Sequence, residues 1–382
     1  MPVRSVRKVS RGELAPGCPA HAGPDGVWRV QDHAAARAVL RSGDTRQAGF
    51  GIENTAQMNG KMRMPVLYRD GPEHREHRRQ TAKFFTPRRV DIAYRALMER
   101  LADQQCATLR ARGEADLTTL SFRLAVAVAA EVIGLSAGRG GLARRLDRFF
   151  HNADPGSIRQ RLLGGYAVGA FYWWDVRPAV RTRRRQRRDD LISHLIDEGC
   201  TKPEILGECV TFAAAGMVTT REFITLAAWH LLTDDALRLT YLDGDEADRH
   251  RVLHEILRLE PVVANLARTT TADLALDGVT IPAGSLVDIG VAAANLDPAA
   301  VGDDPAALCP DRAMPAAAGD AGLSFGDGPH RCPGAYIAIQ ETDIFLTRLL
   351  AVPGLRMTRE PTVRIRPDIA SYELTGLRLS AG

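Results

Sequence analysis

Apolar residues recur at helical spacing through most of this chain and alternate only in short pieces. Asp32 opens a predicted helix through Arg41, with Ala35, Val39 and Leu40 on one side. The spacing predicts further helices over His74–Phe85, ending near Pro87, over Ile92–Arg112 and over Leu117–Ile133. Two helical stretches are expected within Leu142–Arg188, set off by Gly156 and Gly164–Gly165, and another begins at Asp189–Asp190. Pro203–Leu232 is apolar on every side, the mark of a helix buried at the centre of a fold. Asp248–Leu259 is helical and stops before Pro261, and Ala335 to about Leu350 carries another apolar helical pattern. Strand-like alternation is confined to Val27–Val30, Leu266–Thr269, Leu274–Leu276, Val279–Ile281 and Leu286–Val291. Asp277-Gly278 and Pro282-Ala283-Gly284 supply turns between these pieces. Ser42–Asp70 has little periodicity and reads as a long loop, a common home of function. No linker or repeat divides the chain. The expectation is one domain over residues 1–382, mainly α with small β-sheets.

Composition narrows the function. Hydrophobic residues make up 45% of the 382, enough for a substantial core. Fifty basic against 46 acidic side chains leave a formal charge of +4, too weak and mixed to argue for nucleic acid. The basic run Arg181–Arg188 reads as a solvated helix end, because no aromatic residues interleave with it. The six cysteines are scattered, without a Cys-x-x-Cys pair, which argues against a zinc site or a disulfide framework. No run of 18 apolar residues exists and the N-terminus lacks a signal-peptide core, so a soluble, cytoplasmic protein with no membrane partner is expected.

One stretch carries specific chemistry. Phe325-Gly-Asp-Gly-Pro-His-Arg-Cys332-Pro-Gly334 puts a cysteine in a Gly- and Pro-rich turn directly before the helical pattern at Ala335. A helix N-terminus favours a thiolate, and glycines such as Gly326 and Gly334 let backbone come close to the sulfur and to a flat ligand beside it. With Phe325, Gly328, Cys332 and Gly334 in place, the segment resembles the haem-binding loop of the cytochrome P450 family. The resemblance runs over nearly the whole chain. It implies the P450 fold, with haem b between the long central helix and the cysteine-loop helix, and Cys332 as axial ligand of the iron.

Further residues match in the family's order. Glu255-Ile-Leu-Arg258 puts an acid and a base on one helix face. It resembles the family's buried scaffold pair, with Arg312 in the place of the third, structural partner. His74 and Arg78, one turn apart, resemble the helix that holds a haem propionate; Arg268 and His330 match the other propionate contacts. Ala215-Gly216-Met-Val-Thr219-Thr220 resembles the stretch that crosses over the haem, where Gly216 leaves room for dioxygen and Thr219 relays protons. Val218 departs from the pattern, because the family has an acid there. Valine passes no proton, so the relay falls to Thr219, water, the substrate or another acid such as Glu222. Asn295-Leu-Asp-Pro298 resembles a structural turn before the haem loop. The family position of the substrate cavity points to Phe50–Leu67, Phe149–Trp174, Phe212, Met217, Val262–Leu266 and Ile369–Ala370.

The resemblance implies a monooxygenase that hydroxylates a small-molecule or peptide-derived metabolite in natural-product biosynthesis. A ferredoxin and an NAD(P)H-dependent ferredoxin reductase would supply electrons, the acidic donor docking near Arg75, Arg79, Lys83 and Arg331. Oxidative coupling of aromatic rings is the alternative that Val218 raises. An inactive P450-shaped recruitment module is the third reading.

Overall fold

A helix that is apolar on every face has to be covered on every face, and that requirement organises this molecule. A computed structural model describes residues 7–11, 14–52, 62–135, 141–151, 158–276, 278–315, 318–367 and 370–382. The first part of the chain forms strands β1 (His21–Ala22) and β2 (Trp28–Val30), helix α1 (His33–Arg41), strand β3 (Thr45–Ala48) and helix α2 (Gly71–Thr81). The short α3 (Pro87–Arg89) and the long α4 (Arg95–Arg112) follow, then β4 (Glu114–Asp116) and α5 (Leu117–Ile133). Next come α6 (Leu142–His151), α7 (Ile158–Phe171), α8 (Arg177–Arg185) and α9 (Leu191–Asp197). The central helix is α10 (Lys202–Ala213) and α11 (Thr219–Thr233), joined by a π-helical turn at Ala214–Val218. After it lie α12 (Asp235–Asp243), α13 (Glu246–Leu259), β5 (Asn265–Thr270), β6 (Leu274–Leu276), β7 (Val279–Ile281) and β8 (Leu286–Gly290). The chain closes with α14 (Val291–Ala294), α15 (Pro298–Val301), α16 (Ala335–Leu350) and strands β9 (Arg356–Arg359), β10 (Thr362–Arg366), β11 (Ser371–Thr375) and β12 (Arg378–Ser380).

Every residue from Thr220 to Leu231 is buried, as the all-round apolar pattern required. Helices α5 and α16 and strand β11 pack against this segment. A mixed sheet in the order β1-β2-β8-β5-β3 forms a separate layer, with β2 and β8 parallel and the other pairs antiparallel. Its second core, built on Val30, Val39, Leu40, Val287 and Ile289, is separate from the main helical one.

Local chemistry sets the helix starts. The Asp32 carboxylate accepts from the Ala35 N–H, Asp190 from Ser193, and Thr201 with Glu204 forms a capping box at α10. Two expectations need correction. The expected loop after Ser42 contains β3, which pairs antiparallel with β5 from Thr45↔Thr270 to Ala48↔Ala267. Partnership across sequence made a strand from four residues with little pattern of their own. Gly164 and Gly165 also do not break their helix, for α7 runs straight through them. Gly156 and Asp277 lie outside the described residues. Among the described residues, no helix is long and apolar enough to cross a membrane.

Candidate active site

The cysteine turn is shaped before any ligand is considered. Gly328 has φ +65°, and a Cβ there would lie 2.4 Å from the Leu40 carbonyl oxygen, so only glycine fits. Asp327 ties the turn to α1 by accepting from Arg37 Nε at 2.7 Å and Arg41 Nε at 2.8 Å. The Cys332 N–H donates to the Phe325 carbonyl at 2.8 Å, closing the loop on itself. Gly334 caps α16, and an added Cβ there would sit 4.0 Å from Cys332 Sγ.

Cys332 lies deep enough that burial pushes its thiol above the usual range, although the Gly334 N–H, Arg78 and Arg331 work the other way. Yet its side chain is exposed. Both hold together if the sulfur faces an interior opening. The central helix has a matching bare patch at its π-helical turn. Ala215 is exposed and Gly216 and Thr219 are half-exposed, while the helix beyond is sealed. Among the described residues, a Cβ on Gly216 would meet only Ala129, at 3.8 Å. The Thr219 hydroxyl donates to the Ala215 carbonyl at 2.5 Å. A π-turn adds a residue to the helix and frees backbone for such side-chain bonds, so these turns gather at functional sites.

Around the opening stand basic side chains, charged and neutral. His74 is buried, stacks on His330 with ring centroids 4.0 Å apart, and leaves Nδ1 without a partner. Burial drives the His74 pKa down to about 3, so this imidazole is neutral. His330 Nε2 meets Asp70 Oδ1 at 2.9 Å. Arg78 donates to the Arg331 carbonyl, which joins α2 to the cysteine turn. Arg268 is 3% exposed and donates to the Ala267 carbonyl at 2.8 Å, but no carboxylate of the described residues stands within ion-pair range of it. Burial lowers its pKa to about 10, with only Asp70 opposing. A guanidinium so placed is costly unless an anion shares its space.

Behind the turn lies a dense polar scaffold. Glu255 accepts from Arg258 Nε at 2.7 Å and Nη2 at 2.8 Å, from Arg312 Nε at 3.2 Å and from the Cys309 N–H at 3.0 Å. Arg258 has no exposed surface and also donates to the carbonyls of Asn295, Pro305 and Ala307. Asn295 in turn receives the Leu323 N–H and donates to Ser324, which carries the scaffold into the cysteine turn.

The structure thus brings Phe325, Gly326, His330, Cys332 and Gly334 into one turn, beside His74 and Arg78, and sets Glu255, Arg258 and Arg312 behind it. Other expectations fail. Glu222 is fully buried, and its carboxylate is occupied by Arg221 and by the Leu374 N–H at 2.8 Å, so it offers no replacement for the missing acid at Val218. Burial lifts its pKa to about 7. Met217 is sealed in the main core, whereas Phe212 is half-buried and stacks on Phe85 at 5.8 Å, which does not remove it from the cavity lining. Phe149 and Ile369 have no described side chains, and the middle of the Phe50–Leu67 segment lies outside the described residues. Sequence reasoning missed Asp70 and Asp327, the two acids that fix the loop. Arg37 and Arg41, one turn apart on α1, were the available signal for the second.

The cytochrome P450 family model matches residues 249–357, which span the Glu255 scaffold and the cysteine turn. The chain is 30% identical to erythromycin C-12 hydroxylase of Saccharopolyspora erythraea, over 89% of this chain and 85% of that one. It is 31% identical to the cytochrome P450 monooxygenase PikC of Streptomyces venezuelae, over 88% and 80%. The chain belongs to the cytochrome P450 family. The solved structure of CalO2 superposes with a TM-score of 0.81 at 25% identity, covering 95% of this chain and 93% of that one. As a P450 monooxygenase the protein takes haem b. The residues present fit that group: an open-sided thiol for iron, and the unpaired Arg268 and the orphaned His74 Nδ1 for its carboxylates.

Proposed function

We propose that this P450 inserts one oxygen atom into a C–H bond of a small-molecule or peptide-derived natural-product intermediate. The observation that carries the proposal is the open Cys332 thiol in its rigid turn, together with the bare Ala215–Thr219 patch on the central helix. When bound, haem iron supplies the activation of dioxygen with two electrons. Cys332 would bind the iron as a thiolate, and a coordinated metal reverses the upward push that burial gives the free thiol. Arg268, Arg78, His74 and His330 would hold the two propionates. Gly326 and Gly334 keep the loop thin, Phe325 packs its edge, and Gly216 leaves the opening unfilled. Thr219 holds a hydroxyl proton at the opening, bonded to the Ala215 carbonyl, and Val218 excludes a second relay group from that turn. Relatives such as erythromycin C-12 hydroxylase and the mycinamicin IV hydroxylase/epoxidase of Micromonospora griseorubida support oxygen insertion in secondary metabolism.

Electrons would come from a ferredoxin and its NAD(P)H-dependent reductase, with Arg75 and Arg331 as exposed cations of the cysteine side that have no carboxylate in ion-pair range among the described residues. Arg79 is held by Glu76 at 2.6 Å and Lys83 lies 3.7 Å from Asp189, so these two contribute less to docking. Val218 favours one second reading, oxidative coupling, which abstracts hydrogen without transferring oxygen. Product mass separates the two. A gain of one oxygen supports insertion, and a loss of two hydrogens with no gain of oxygen refutes it.

A further inference from the structure

Apart from Arg183, which is buried against Asp190, the basic run that ends α8 serves neither the haem site nor the core. On the folded chain it continues a ridge of unusual make-up. Tyr166, Trp173, Arg177, Arg181 and Arg184 follow one another at three-, four- and seven-residue steps along α7, its π-helical extension (Tyr172–Val176) and α8. Steps of three, four and seven keep side chains on one helix face. From Tyr166 to Arg184 the ridge runs for about 27 Å at 1.5 Å per residue. Its aromatic end is open: Tyr166 is 76% exposed, Trp173 57% and the adjacent Trp174 48%. Gly165 and Gly169 have nothing of the described residues within 4 Å of where a Cβ would sit, which leaves room between the rings for a partner's side chains.

The other end is cationic and uncompensated. Arg177, Arg181, Arg184 and Lys202 line a cavity of about 130 Å³ with Tyr172 and Val180, and no carboxylate of the described residues borders it. Arg183 and Arg187 of the same run are neutralised by Asp190 and Asp197. Arg177, Arg181, Arg184, Arg185 and Arg188 have no carboxylate in ion-pair range among the described residues. Arg177 lies over the Trp173 ring at 4.1 Å and joins the two halves.

We infer that this ridge docks an acidic helical protein, through residues other than the Arg75 and Arg331 cations proposed for the electron donor. Two features select that occupant. Arginines at i, i+4 and i+7 along one helix face match carboxylates repeated at the same steps along a facing helix. Exposed Trp and Tyr anchors gain most when they enter the apolar gaps of a solid protein surface. A duplex offers no such gaps. A membrane-lying helix would carry its apolar residues along its whole length, not at one end.

The test uses the haem-loaded protein and a labelled synthetic helical peptide with glutamates at i, i+4 and i+7 and a leucine one turn beyond them, read by fluorescence anisotropy. The peptide binds, and binding weakens as salt rises. The double variant Arg181→Glu/Arg184→Glu weakens it by about tenfold or more and regains affinity for the peptide with lysines in place of its glutamates. Trp173→Ala also weakens it by about tenfold. The haem absorption spectrum stays that of the parent in every variant, which separates docking from folding. Absence of peptide binding overturns the inference, as does equal binding by Arg181→Glu/Arg184→Glu. So does equal or tighter binding of a single-stranded oligonucleotide or of anionic phospholipid vesicles at the same residues.

Discussion

Glu341 sits within α16, is 2% exposed, and leaves Oε1 without a hydrogen-bond partner. Burial raises its pKa from the ordinary 4.5 to about 8. Between those values the unfolded chain has released this proton and the native chain keeps it. Stability linked to Glu341 is therefore fully present below pH 4.5 and is lost as pH rises through 8. At pH 7 the loss covers about 2.5 pH units, or about 3 kcal/mol at 1.36 kcal/mol per unit. Glu341→Gln keeps the shape and removes the titration. At about 2.1 cal/mol/K per residue, the 382 residues give an unfolding entropy of about 0.8 kcal/mol/K, so the variant should melt about 4 °C above the parent at pH 7. The assay is the thermal midpoint of parent and variant, measured between pH 5 and pH 8. The difference should be smallest at the acid end and widen steadily with pH. A difference that stays constant across this range, or a variant less stable at pH 7, refutes the reasoning.

The scaffold makes the opposite prediction. Glu255→Gln strands the fully buried Arg258 and should cost about 3–5 kcal/mol, lowering the thermal midpoint by about 4–6 °C. A midpoint within a degree of the parent's would refute the scaffold role. Gly328→Ala drives a methyl into the Leu40 carbonyl from a left-handed backbone, so the protein should be recovered with little bound haem, as judged by the ratio of haem to protein absorbance. Full haem occupancy in that variant would show that the turn yields. Cys332→Ala should abolish the thiolate-type absorption band of the reduced, carbon monoxide-treated protein; its survival would remove Cys332 as the ligand.

Much of the site was legible in the sequence because its chemistry is local. Phe325 to Gly334 is one turn, and Glu255 with Arg258, or His74 with Arg78, is one helix face. The neighbours across the chain were not legible. Asp70 reaches His330 and Asp327 reaches Arg37 and Arg41 through contacts between distant segments, and no spacing rule reports them. Glu222 shows the same limit from the other side. Its place one turn beyond Val218 suggested a proton carrier, but a strand from the far end of the chain supplies the Leu374 N–H that occupies it.

The sequence by itself determined the helices with capped starts, the central buried helix and the cysteine turn, because caps, periodicity and glycine conformations act within a few residues. Only the tertiary structure decided that β3 is a strand, that Arg268 is buried without a partner acid, and that the arginines of α8 extend an aromatic ridge. Pairing, desolvation and shared faces depend on what other segments bring alongside, and a linear pattern holds no record of that.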